Sequence, residues 1–189
     1  GHHDPVFASM IKSLDDSVGK VLDKLEETGQ ADNTVILFMS DNGGALLKNF
    51  RDHENRRPLT SNAPLRGGKA WSTEGGIRIP FIVRWPGHPP KGTLCDVVID
   101  CNDVFPTLMD LAGVDYSSYR AKGAGDGESI VPLLLDPKNR AGKYTRDTFF
   151  WHDPYYRPDW IAPSLEGSPK SIIREGDYKL VYYHLGYVQ

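Results

Sequence analysis

The sequence predicts an α/β fold, and three observations carry that expectation. Residues 5 to 28 set Val6, Met10, Leu14, Val18, Val21, Leu22 and Leu25 at steps of three and four, with Lys12, Asp16, Lys20, Asp23 and Lys24 between them. That spacing is an amphipathic helix. Asn33 then opens an unbroken β-branched and apolar run to Met39, as expected of a strand covered on both faces in a mainly parallel sheet. A second apolar run, "PFIVRWP" at 80 to 86, returns after a long polar stretch.

Each element has its punctuation. Pro5 stands near the start of the helix and Gly29 just past its end, the usual asymmetry of helix termini. From Ala45 to Thr73 the periodicity dissolves into a polar loop, and loops longer than about 15 residues in compact domains are often functional. A strand is expected at 96 to 99, followed by a short helix over "DVFPTLMDLAG" with Asp103 as its cap and Gly113 as its stop. Pro106 falls in the first turn of that helix, where a missing N–H costs little. Residues 115 to 143 read as surface connection interrupted by "SIVPLLL", and the tail offers "TRDTFFWH", an aromatic-rich loop, and two strands, "SIIRE" and "YKLVYYH", joined at Gly176-Asp177. That junction predicts a hairpin.

Composition sets the outer limits. The chain has 189 residues, 39% apolar and 25% charged, with a net charge of −3; this is an ordinary globular balance, and its scattered basic residues point to no nucleic-acid partner. No apolar run approaches the roughly 20 residues of a membrane-spanning helix. "GHHDPVFASM" lacks the basic start and apolar core of a signal peptide. Cys95 and Cys101 are the only cysteines, and they are read as buried thiols, with a local disulfide as the alternative.

Two stretches carry chemistry. "VILFMSDNGG" ends an apolar strand on Asp41 and Asn42, and Gly43-Gly44 permits the bend that could turn both side chains onto one ion. A carboxylate and an amide oxygen are hard ligands suited to Ca²⁺ or Mg²⁺; a tight turn with Asp and Asn chosen for turn propensity is the other reading. The second stretch, "PLRGGKAWSTEGGIRIP" at 64 to 80, sets Lys69 beside paired glycines. Glycines let a backbone approach a ligand closely, and a lysine there is a compact charge for a tetrahedral anion, although an ion-paired loop explains the same residues.

"DNTVILFMSDNGG", "SNAPLRGGKAWSTEGGIRIPFIVRWPG", "DVFPTLMDLAG" and "IREGDYKLVYY", in this order, resemble the C-terminal portion of a type I sulfatase, the arylsulfatase family of the alkaline phosphatase superfamily. The resemblance implies an alkaline phosphatase-like sandwich, with residues 1 to 143 belonging to the catalytic α/β domain and 144 to 189 starting a small C-terminal antiparallel subdomain. It implies a sulfuric ester hydrolase acting on a sulfated sugar or aryl sulfate, Asp41 and Asn42 as calcium ligands, Lys69 as the catalytic sulfate-binding lysine, and His152 as a substrate contact. Mg²⁺ is the less favoured ion.

The formylglycine nucleophile of such enzymes arises from a Cys/Ser-x-Pro/Ala-x-Arg motif, and this sequence has none. It is therefore expected from a missing N-terminal segment, the chain's implied partner, and the chain alone is expected to be inactive. A periplasmic, secreted or lysosomal location follows from the resemblance. Asn62 is expected to support Lys69; His53 and Arg56 or Arg57 could meet acidic groups of a sugar, although a solvated charged loop is the favoured reading of them, and His2 and His3 match no family motif. Trp71, Trp85 and Trp151 are read as core or rim aromatics. A phosphodiesterase or phosphonate hydrolase of the same superfamily would need histidine where Asn42 stands, which disfavours that rival. A non-catalytic anion-binding relative is the other alternative.

Overall fold

A computed structural model of the chain describes residues 4–46, 60–88, 91–117, 125–158 and 164–184. His2, His3, His53, Arg56 and Arg57 lie outside the described residues. The chain divides into two compact units, one drawn from Gly1–Pro86, Trp151–Ile172 and Leu180–Gln189, the other from Gly87–Phe150 and Ile173–Lys179.

In the first unit, α1 spans Pro5–Glu27, capped by Asp4, whose carboxylate accepts the Phe7 N–H at 2.7 Å. Gly29 stops it at φ +68°. The helix forms as its periodicity demands, yet among the described residues its apolar stripe is left largely uncovered; Val6, Met10 and Val21 remain more than half exposed. Its C-terminal end is fastened by Arg84, which donates to the Ala31 carbonyl at 3.0 Å and lies 3.6 Å from Glu26.

Strand β1, Ile36–Met39, pairs antiparallel with β2, Phe81–Arg84, which follows a one-turn helix α2, Glu74–Ile77; the register runs from Ile36 to Arg84 through Met39 to Phe81. The parallel neighbours expected for β1 are not among the described strands of this chain. The pairing has a consequence for the site. Because β1 ends opposite the start of β2, the residues after Met39 meet those before Phe81, and Ser40 N–H donates to the Pro80 carbonyl at 3.3 Å.

The second unit is built around Asp103. The expected strand at 96 to 99 does not form; no described strand lies alongside it, and Asp100 turns the chain into a 3₁₀ helix, Cys101–Asp103, by accepting the Asn102 N–H at 2.9 Å. Helix α3 follows at Val104–Leu111, with Gly113 at φ +69° beyond it. Asp103 is not the simple cap the sequence suggests. Its carboxylate, 0% exposed, turns inward to accept the N–H groups of Asp100 at 2.7 Å and Glu128 at 2.8 Å and the Tyr144 hydroxyl at 3.3 Å, and it pairs with Arg146. Buried Thr107 adds a bond from the Ile130 N–H at 3.0 Å, which seats helix α4, Val131–Leu135. Burial raises the Tyr144 pKa, and the Asp103 charge raises it further.

Strands β3 (Thr148–Asp153), β4 (Lys170–Glu175) and β5 (Tyr178–Tyr183) form a sheet in that order, with the expected hairpin at Gly176-Asp177. The cysteines correct the sequence reading: both are free and exposed, not buried. They flank the segment that failed to become a strand, so no sheet covers them. The Cys101 sulfur donates to Asp100 at 3.5 Å, and partial burial with the adjacent Asp100 charge raises its pKa.

Removing a buried carboxylate that meets a guanidinium and two backbone N–H groups strands all of them. Asp103→Ala should lower unfolding free energy by about 3–5 kcal/mol in urea denaturation. A loss below about 1 kcal/mol, the range of exposed ion pairs, would contradict the network.

Candidate functional site

The end of β1 runs directly into a backbone-to-backbone contact that leaves no room for side chains. The Gly43 N–H donates to the Gly76 carbonyl at 2.9 Å, and a Cβ on Gly43 would stand 1.8 Å from the Gly75 carbonyl oxygen. A Cβ on Gly75 would likewise meet the Gly67 oxygen at 2.2 Å. These approaches explain why the two Gly-rich stretches of the sequence occur together: each is the hole into which the other's backbone fits.

Asn62 holds this contact in place. Its Oδ1 accepts the Gly44 N–H at 2.9 Å, while its Nδ2 donates to the Gly44 carbonyl at 2.9 Å and to the Gly67 carbonyl at 3.0 Å. The amide therefore bridges the 43–44 turn to the 67–68 turn, the supporting role expected of it. Lys69 completes the junction by donating its N–H to the Gly44 carbonyl at 3.0 Å. Beside it, Ala70 adopts φ +73°, a left-handed conformation that costs a non-glycine residue about 1–2 kcal/mol, and such strain gathers at functional sites.

Asp41 and Lys69 are both exposed, and Asn42 is half-buried. The Asn42 Nδ2 is committed to the Gly43 carbonyl at 3.0 Å, and among the described residues no donor reaches its Oδ1. An amide oxygen without a donor beside an exposed carboxylate is a donor set suited to a hard cation, so the residues present fit calcium. They supply only part of a site: no group of three or more His, Cys, Asp or Glu able to hold a metal occurs among the described residues.

His152 belongs to a different cluster. Exposed on β3, it places Nδ1 2.9 Å from the Ser171 hydroxyl, which lies 2.8 Å from His184 Nε2; the two imidazoles meet edge to face at 5.7 Å. Among the described residues, the hydrogen bonds of His152, Ser171 and His184 run within this cluster and its own strands and not to the Lys69 loop. Trp71, Trp85 and Trp151 are half-buried, as rim aromatics would be.

Sequence reasoning missed Glu166. It sits in a short 3₁₀ helix, Ser164–Gly167, and is 8% exposed. One carboxylate oxygen accepts the Ser72 N–H at 3.0 Å and the Ser72 hydroxyl at 2.8 Å, and the other accepts the Tyr183 hydroxyl at 3.0 Å. Lys170, 1% exposed, donates to the Glu166 backbone carbonyl at 2.6 Å and lies 3.3 Å from Asp153, which also pairs with Arg157. Burial pushes the Glu166 pKa up, but the bonds from Ser72 and Tyr183 and the Lys170 charge outweigh it and hold it below its ordinary value. No spacing rule connects positions 72 and 166; the only sequence signal was a lone acid in an aromatic-rich loop.

A sulfatase family model matches residues 2–114, and a model described as N-sulphoglucosamine sulphohydrolase, C-terminal, matches residues 68–187. Human N-acetylgalactosamine-6-sulfatase is 33% identical over 165 residues, covering 87% of this chain and 28% of that protein. Rat steryl-sulfatase is 38% identical over 129 residues, covering 68% and 22%. Among solved structures, that of Ps i-CgsB in complex with k-i-k-neocarrahexaose aligns with a TM-score of 0.71 at 28% identity, covering 94% of this chain and 34% of that one. The chain thus spans about a third or less of the length of these relatives.

Two outcomes are expected of the site's construction. Gly43→Ala should lower stability by at least about 1–3 kcal/mol, because the Gly75 backbone cannot give way as a side chain could; a neutral effect in urea denaturation would mean the two turns do not touch. A carboxyl whose folded pKa lies below its unfolded value stabilises above the unfolded pKa and loses that contribution as pH falls through the folded one. For Glu166 the loss begins near its ordinary value of 4.5 and runs downward, so Glu166→Gln should flatten the acid limb of a melting-temperature profile. Superimposable acid limbs would show that Glu166 does not titrate with folding.

Proposed function

This chain belongs to the sulfatase family, and from that premise we propose that it supplies one side of the catalytic pocket of a sulfate ester hydrolase acting on a sulfated sugar or aryl sulfate. The observation that carries the reading is the junction itself. Asp41 and Asn42 leave the end of β1 one residue before a backbone contact whose other partner carries Lys69. Calcium held by the Asp41 carboxylate and the Asn42 amide oxygen would supply Lewis-acid polarisation of a sulfate oxygen.

Lys69 contributes a positive charge toward the anion. With its backbone N–H tied to Gly44 and a strained residue behind it, its side chain starts from a rigid backbone, which limits the reorganisation needed as charge develops. His152, paired with the Ser171 hydroxyl, offers a hydrogen-bonding group to a substrate hydroxyl. The formylglycine would come from outside these residues, since the sequence holds no Cys/Ser-x-Pro/Ala-x-Arg stretch. The chain by itself is accordingly expected to turn over no sulfate ester.

We place the full-length protein in a periplasmic, secreted or lysosomal compartment on the same family resemblance. No described helix is long and apolar enough to cross a membrane.

In the full-length protein, Asp41→Ala should abolish bound calcium, measured by elemental analysis of the purified protein, together with hydrolysis of para-nitrophenyl sulfate. Full calcium occupancy with undiminished turnover would reject the assignment. Lys69→Ala should retain calcium and the wild-type melting temperature while lowering turnover about 100-fold or more, the scale of removing one preorganised charge donor; unchanged kinetics would sink its role.

A further inference from the structure

We propose that Glu166 is a positioning residue for the anion site, setting Lys69 through Ser72. The proposal rests on the reading of Lys69 as the sulfate ligand.

Lys69 sits in a loop that is held on both sides by unrelated parts of the chain. On its N-terminal side the loop is fixed by Asn62 and by its own N–H to Gly44. On its C-terminal side, beyond strained Ala70 and half-buried Trp71, Ser72 gives both its N–H and its hydroxyl to a single Glu166 oxygen. Locally, the Trp71 N–H to Gly68 carbonyl bond at 2.9 Å closes the turn around Lys69, and the Thr73 hydroxyl at 2.6 Å and the Gly75 N–H at 2.8 Å both donate to the Arg66 carbonyl across the base of the loop. A left-handed alanine persists only where its surroundings over-determine it, and on that side Glu166 adds, at Ser72, the restraint that comes from outside the loop itself.

Glu166 is itself held in register. Tyr183 on β5 fixes its second oxygen, and Lys170 on β4 fixes its backbone carbonyl. Three donors converge on a side chain that, when ionised, can only accept. Glutamine keeps the shape but turns one acceptor into a donor and removes the charge. A buried acid is a costly way to pack the back of a loop, and its use here is explained by the directional hold that an apolar residue could not exert on Ser72. The ammonium of Lys69 need only shift by about 1 Å for a large loss in rate.

The test is a double-mutant cycle in the full-length protein with Glu166→Gln, Lys69→Ala and both together, reading inorganic sulfate affinity by calorimetry, kcat and KM for para-nitrophenyl sulfate, and the melting temperature. Glu166→Gln should weaken sulfate binding and lower kcat by about 10- to 100-fold, and most of that loss should vanish in the Lys69→Ala background, because both changes act on one ammonium. An equal loss in both backgrounds would overturn the proposal and leave Glu166 a purely structural residue. If Lys69→Ala alone changes neither sulfate affinity nor turnover, the sulfate reading fails first and the proposal falls with it. Should Glu166→Gln not fold, Ser72→Ala removes one of the three bonds and should produce a several-fold loss that is again absent without Lys69; persistence of that loss in the Lys69→Ala background would count against the proposal.

Discussion

Everything in the candidate site depends on two backbones meeting without side chains between them. The turn at Gly43-Gly44 and the turn at Gly75-Gly76 approach so closely that a single Cβ would collide with a carbonyl oxygen at 1.8 Å. Antiparallel pairing of β1 with β2 delivers the two turns to the same place, and Asn62 then ties Gly44 to Gly67, whose carbonyl oxygen lies against Gly75. From this contact follows the proximity of the Asp41-Asn42 strand end to the Lys69 loop. The proposed pocket needs both segments, one for the carboxylate and amide oxygens of Asp41 and Asn42 and the other for the Lys69 ammonium.

A second layer of support reaches the loop from far along the chain. Glu166 meets Ser72 across 94 positions, and Tyr183 and Lys170 meet Glu166. The C-terminal strands therefore do more than extend the fold: they present a buried carboxylate to the loop that carries Lys69. In the other unit Asp103 does the comparable structural work, gathering Arg146, Tyr144 and two backbone N–H groups around α3. Both are buried acids with several donors, the condition under which a carboxylate is tolerated away from water.

Local periodicity made α1, β1, β2, α3 and the β4–β5 hairpin legible, since each is encoded by residues close in sequence. The failed strand at 96 to 99 shows the limit of that reading: an apolar triplet predicts a strand only if a neighbour exists to pair with it, and periodicity does not report neighbours. The apolar stripe of α1 teaches the same lesson, because it records what a face is built to meet and not whether the partner lies in these residues. At the candidate site, residue type beside glycine singled out the Asp41-Asn42 strand end and the Lys69 loop, two segments that the structure brings together, and Asn62 was singled out by its place seven residues before Lys69. Glu166 was not, because its meaning comes wholly from a long-range contact. The cysteines were misread as buried since frequency of burial says nothing about a segment that no sheet covers.

A crystal structure of the full-length protein grown with calcium and sulfate tests the central claim most directly. The account predicts anomalous density for one calcium between Asp41 and Asn42, with oxygens at about 2.3–2.6 Å, and a sulfate beside it within hydrogen-bonding distance of Lys69 Nζ. Calcium bound elsewhere, or a sulfate that Lys69 does not reach, would contradict it.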